Sequence, residues 1–203
     1  MTFPPVRSSI PRRAAGAAAV VALALALGAC SSSSKPGASG STDCKTTSAD
    51  AKAVSALVQK GLQAQIAGND AQAEADFNQV LCSDANNKYA HYNLGLIFQN
   101  RGKNADAEDE YNKALAADEK FGPALYNLAI LRTADKDTDG AISLYRRAIA
   151  SNAKDPNAHF NLGLLLRAKG QTAEGNTEIQ TAVNLDSSLR AKAIAQGVPL
   201  TGS

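Results

Sequence analysis

From about Val54 onward, apolar and polar positions alternate with the period of a helix, and the pattern returns every 34 residues. Asn93-Leu94-Gly95, Asn127-Leu128-Ala129 and Asn161-Leu162-Gly163 mark it most clearly, each behind an aromatic residue: Tyr92, Tyr126 or Phe160. The same spacing relates Tyr111, Tyr145 and Ile179, then Ala114, Ala148 and Ala182. Within a unit the apolar positions form two helical runs. Tyr92, Leu94, Leu96 and Ile97 precede Gly102, and Ala107, Tyr111, Ala114 and Leu115 follow it. This predicts helix–turn–helix units that cannot bury their apolar faces alone and must stack on their neighbours.

Four units fit the chain, at about 54–87, 88–121, 122–155 and 156–189. The first is the least regular: Lys60 stands where Leu94 stands later, while Gly61, Gly68, Ala73, Phe77, Val80 and Leu81 keep register. An end unit with one face in water requires such a departure. Thr47-Ser48-Ala49-Asp50 predicts a capped helix start at Thr47. Pro123 falls where a first helical turn tolerates proline. Gly175 replaces the alanine of Ala73, Ala107 and Ala141, which is expected to loosen that packing by roughly 1 kcal/mol. Residues 190–196 predict a short closing helix, with Leu189, Ala193 and Ile194 facing the last unit and Gly197 and Pro199 ending it.

This repeat resembles that of the tetratricopeptide-repeat family over about residues 54–196. The resemblance implies an all-α fold: a right-handed α-solenoid of about four helix–turn–helix units with a short C-terminal capping helix, over about 47–197 with a tail at 198–203. It also implies a protein-binding scaffold whose first helices line a concave groove. There the groove residues would be the ladder Tyr92, Tyr126 and Phe160, the aliphatic Leu96, Ile130 and Leu164, and the polar Asn93, Asn127, Asn161, Gln99 and Arg167. Family members that clamp a terminal carboxylate set Lys and Arg beside those asparagines, and these basic partners are missing here. The family's proline after each second helix is also missing; Ala85, Glu119, Ala153 and Ser187 stand in its place.

The amino terminus is a separate matter. Met1 to Arg13 carries three arginines and no acid, and Ala14 to Ala29 runs sixteen residues without a charge. At about 1.5 Å per residue such a run is too short for a hydrocarbon core of roughly 30 Å. The order of basic, apolar and small residues describes a secretory signal over 1–29. Leu27-Gly28-Ala29-Cys30 resembles the bacterial lipobox. That implies cleavage before Cys30, lipidation of Cys30, and a chain held on the extracytoplasmic face of the cell membrane. Residues 30–46, rich in Ser, Thr and Gly, are then expected to be a flexible tether. With Cys30 lipidated, Cys44 and Cys82 remain in an oxidising compartment, where pairing is common. Cys44 precedes the first helix of unit one and Cys82 lies near the end of its second, which an antiparallel pair brings together.

Charge and candidate chemistry change this picture little. Of 21 basic residues three lie in the leader, leaving 18 against 19 acidic, so there is no nucleic-acid footprint. Asp135-Lys136-Asp137-Thr138-Asp139-Gly140 opens like an EF-hand loop. The position for the bidentate carboxylate is Arg146, however, and the repeat register makes the segment an inter-helix turn with Asp139 near an N-cap. His91 and His159 share a column two units apart, too far to share a metal, and are expected to be structural. No nucleophile–base pair, phosphate loop or cysteine motif stands out, so neither catalysis, cofactor nor metal is expected. The reading is a membrane-anchored adaptor holding a partner segment in cell-envelope or secretion assembly. Its rival is an envelope hydrolase or glycan-binding protein built on helical repeats.

Overall fold

The computed structural model describes Cys44 and residues 50–201. Among them there is no strand; the chain forms four antiparallel helix pairs and a short cap. The pairs are α1 (Ala51–Ile66) with α2 (Asp70–Ser83), α3 (Lys88–Asn100) with α4 (Asn104–Ala117), α5 (Gly122–Ala134) with α6 (Thr138–Ser151), and α7 (Pro156–Ala168) with α8 (Thr172–Leu185). A single 3-10 turn at Ser187–Leu189 leads into α9 (Arg190–Ala195). The signal segment, Cys30 and all of the tether except Cys44 lie outside the described residues.

Column by column, the repeat decides what is buried. Phe77, Tyr111, Tyr145 and Ile179 stand 34 residues apart, and each is almost wholly enclosed between its two helices. Beside them Val80, Ala114, Ala148 and Ala182 let the paired backbones approach. The core follows the stack: one cluster about Phe77 and Leu94, a long central one from Ala107 to Leu166, and one about Phe160 and Ile179. Lys60, the departure in the first unit, reaches the buried Asp76 on α2 at 2.6 Å.

Side chains set the helix ends. Thr47, the predicted start, lies outside the described residues; Asp50 has an extended backbone and accepts from the Lys52 amide, and α1 begins at Ala51. Asn69, Asn87, Asp137 and Asp155 cap α2, α3, α6 and α7 by accepting from first-turn amides in the same way. In the EF-hand-like stretch the cap is therefore Asp137, bonded to Gly140 N, and not Asp139. Asp139 lies in the first turn of α6 and pairs with Lys169. The turns that lack the family's proline are held by another column: Asp84, Asp118, Asn152 and Asp186 end the four second helices, the last three in extended backbone. Each accepts through Oδ1 from the amide two residues on, at 2.9–3.3 Å, an Asx turn.

Two expectations about the last unit are corrected. Gly175 does not loosen it. A Cβ on Gly175 would stand 2.6 Å from the Gly163 carbonyl oxygen, and one on Gly163 equally close to that of Gly175. The two glycines let α7 and α8 meet backbone to backbone. Nor does Ile194 face the stack, since it is 60% exposed. Ala193 is buried, and Val198 and Leu200 fold back onto Phe160 and Ile179 instead.

Candidate partner-binding groove

The first helices α1, α3, α5 and α7 stand side by side. Asn127 Nδ2 on α5 donates to Tyr92 Oη on α3 at 3.2 Å, and Asn161 Nδ2 on α7 to Tyr126 Oη on α5 at 3.1 Å. Asn127 and Asn161 therefore join one unit to the next. Tyr92 rests on Tyr111 and edge-on against Phe121, with ring centroids 6.0 and 5.5 Å apart. Tyr126 meets Tyr145 at 5.7 Å. Both rings are half-buried, body inward. Burial holds the Tyr92 hydroxyl above the ordinary phenol range; for Tyr126 burial does so together with the Asp155 carboxylate. Tyr145, deeper, is pushed by burial up to about 12.

Two cavities open along this wall. One, of about 440 Å³, lies between α5 and α7 and is lined by Ile130, Thr133, Ala134, Asn161 and Leu164, with Tyr145 beneath. The other, of about 710 Å³, lies at the amino-terminal end, between a stripe of α1 (Val54, Val58, Leu62) and Asn87 and Tyr89. Three of the predicted groove residues, Ile130, Asn161 and Leu164, thus share one cavity. Leu96 lies half-buried on α3 and packs against the central core, as Ile130 does.

Four members of the predicted set do other work. Phe160 is 1% exposed, a core residue under Val198, with Lys192 Nζ 4.8 Å from its ring centre. The closing helix and tail cover the position that Tyr92 and Tyr126 hold at the surface. Asn93 is buried, and its amide donates to Tyr89 O in its own helix at 2.7 Å. Gln99 accepts from the Tyr111 hydroxyl at 2.6 Å. Arg167 donates to Asn176 and to the Gln196 and Gly197 carbonyls, fastening the tail. The amino-terminal cavity escaped the sequence reading because Tyr89, half exposed, shares its column with Ser55, Pro123 and Asn157 and so has no repeat behind it.

Away from the groove, His91 and His159 sit in matching settings. His91 Nδ1 lies 2.7 Å from Glu110 Oε2 and its Nε2 3.0 Å from Ala85 O; His159 meets Glu178 and Ala153 O at 2.6 and 3.2 Å. The Glu110 bond raises His91 above the usual imidazole value, against burial and Lys113. Burial pushes Glu110 up, but bonds from His91 and Lys113 outweigh it and hold its carboxyl low. At the other end of the stack Cys44 is joined to Cys82, with 5.5 Å between their Cα atoms. Among the described residues no group of three His, Cys, Asp or Glu could hold a metal ion. No described helix is long and apolar enough to cross a membrane.

Residues 58–120 match the family model described as tetratricopeptide repeat, and residues 131–170 one described as TPR repeat. No curated protein sequence matches the chain. Among solved structures it is similar to MamA, at 23% identity and TM-score 0.59 over 71% of this chain and 84% of that one. PilF of Pseudomonas aeruginosa is 26% identical at TM-score 0.60, over 68% of this chain and 63% of that one. YrrB, described as a TPR protein with an unusual peptide-binding site, is 21% identical at TM-score 0.58, over 69% and 77%. The likeness to MamA and YrrB is one of fold.

Proposed function

The chain belongs to the tetratricopeptide-repeat family, and on that premise we propose that it is a membrane-anchored, extracytoplasmic scaffold holding a segment of a partner protein in the groove of its first helices. The observation that carries this reading is the cavity between α5 and α7, where Ile130 and Leu164 face open space beside Asn161. Half-buried aliphatic side chains at the mouth of a cleft gain from being covered, at about 25 cal/mol per Å² of apolar surface. YrrB, similar in fold, is described as having a peptide-binding site, which supports this reading. Leu27-Gly28-Ala29-Cys30 supports the anchor, and such an anchor suits assembly work in the cell envelope or in secretion.

The test uses the full chain in cells, with a photo-crosslinking residue at Thr133, which is exposed at the cavity rim, and a control at Asn112, exposed on α4. Capture from position 133 that Leu164→Lys abolishes supports the groove. Equal capture from 112 would move binding to the second helices. For the anchor, Cys30→Ala should leave an unprocessed precursor, and a mature species beginning at Cys30 without added lipid mass, measured on the intact protein, sinks that part.

A further inference from the structure

Charge is divided between the two layers of helices. Across their whole length α1, α3, α5 and α7 hold no Asp or Glu; the helical acids in the described residues lie on the second helices. The first helices do carry bases, and none of these lines either cavity. Lys60 reaches Asp76 on α2, and Lys88 reaches Asp118 in the turn after α4. Arg132 pairs with Glu108 on α4, and Arg167 is spent on the tail carbonyls. Lys52 sits in the first turn of α1, at the outer end of the stack. No charged residue lines the cavity between α5 and α7. Asp84, at the edge of the amino-terminal cavity, is taken by the Asn86 amide and the Asn87 side chain.

Resting on the groove reading, we propose that the partner segment is free of charged side chains over the length it contacts. Asp155, whose carboxylate acts on the Tyr126 hydroxyl, is taken by the Asn157 and Ala158 amides, so a Lys or Asp entering this wall would leave water and meet no unengaged counter-ion. An uncharged segment loses nothing of that kind. Its apolar side chains fill the two cavities. Its backbone carbonyls can accept from the Tyr92 and Tyr126 hydroxyls, each of which takes a hydrogen bond from an asparagine amide and keeps its own O–H to give. The wall thus discriminates by exclusion: it penalises charged segments more than it favours any one sequence.

The test measures fluorescence anisotropy of the purified full chain with end-blocked peptides of Ala, Leu, Ser, Thr and Gln, and with versions carrying a central Lys or Asp. The uncharged peptide should bind with an affinity that shifts less than about twofold between about 50 and about 500 mM salt. Either central charge should weaken binding at least about tenfold, and Ile130→Glu in the protein should reverse the preference toward the Lys peptide. Wild-type protein that prefers a charged peptide, or an affinity that falls steeply with salt, overturns the inference and leaves the groove standing. If no peptide binds, the segment crosslinked from Thr133, sequenced by mass spectrometry, decides: a charge-free run upholds the inference and a charged one ends it. Silence in both assays removes the groove reading and the inference with it.

Discussion

His91 and Glu110 pose a question that the chain answers elsewhere in its own sequence. In the third unit the same two columns hold Leu125 and Leu144, both buried. The fold therefore accepts at one place either an ion pair or two leucines. Glu110 and Ala85 O can only accept, so the His91 ring satisfies both as the imidazolium. Removing one partner of such a pair strands the other, whereas replacing both with apolar groups is often neutral or better. Glu110→Leu alone is expected to cost about 3 kcal/mol, and His91→Leu with Glu110→Leu together to stay within about 1 kcal/mol of wild type or exceed it, by denaturant midpoint. The pH dependence has two limbs. His91 is raised, so its contribution is complete below the ordinary value of 6.5 and is lost as pH climbs through the raised one. Glu110 is lowered, so its contribution is complete above 4.5 and is lost as pH falls through the lowered one. Stability measured against pH should flatten on both sides in the double-leucine variant; an unchanged profile would show that the pair contributes no linkage. The two histidines were legible as one structural column. Their glutamates, nineteen residues on, were not, because that pairing depends on how two helices rotate against each other.

Turns and helix contacts show the same division between what periodicity reveals and what it hides. The 34-residue period marks each turn between first and second helix at Gly68, Gly102 and Gly170, all at positive φ. The third unit puts Lys136 there, at φ 63°. An L-residue in that region costs roughly 1–2 kcal/mol, less what glycine gives back in chain entropy. Lys136→Gly should therefore raise stability by about 1 kcal/mol in chemical denaturation; a loss would mean that the lysine side chain holds the turn. Gly175→Ala should act in the opposite sense to its helix propensity. Alanine favours helices by about 1 kcal/mol, yet its methyl would force α7 and α8 apart at Gly163 O, a misfit worth typically 1–3 kcal/mol. We expect a net fall in Tm, and a rise would show that the two helices have slack. Helix propensity is all that the sequence displays here, because a backbone-to-backbone approach leaves no side-chain pattern. The Asx column from Asp84 to Asp186 stood in plain register, one residue before the place of the family's proline, and an Asp or Asn there does not by itself reveal that it bonds the amide two residues on.

At the scale of the molecule, the stack of all-α units was written in the repeat, because every unit solves the same burial problem. The groove was only half written. A repeat column says which positions are equivalent, and end units break that equivalence: α9 and the tail turn Phe160 from a surface rung into core and claim Arg167. At the amino-terminal end the departure is covalent. The Cys44–Cys82 bond closes a sequence separation of 38 residues around α1 and most of α2. Tension applied upstream of Cys44, as on a protein moored there and pulled by its cargo, would run through sulfur into the end of α2. The α1 helix and its cavity wall would lie outside the load path. Stretched between its ends in a force spectrometer, the oxidised chain should release a contour length shorter than the reduced chain by roughly 38 residues, on the order of 130 Å. Equal extensions would mean that the loop bears load after all. A bond that a chemist would describe as a clasp on the least regular unit acts, for a moored molecule, as a strain relief.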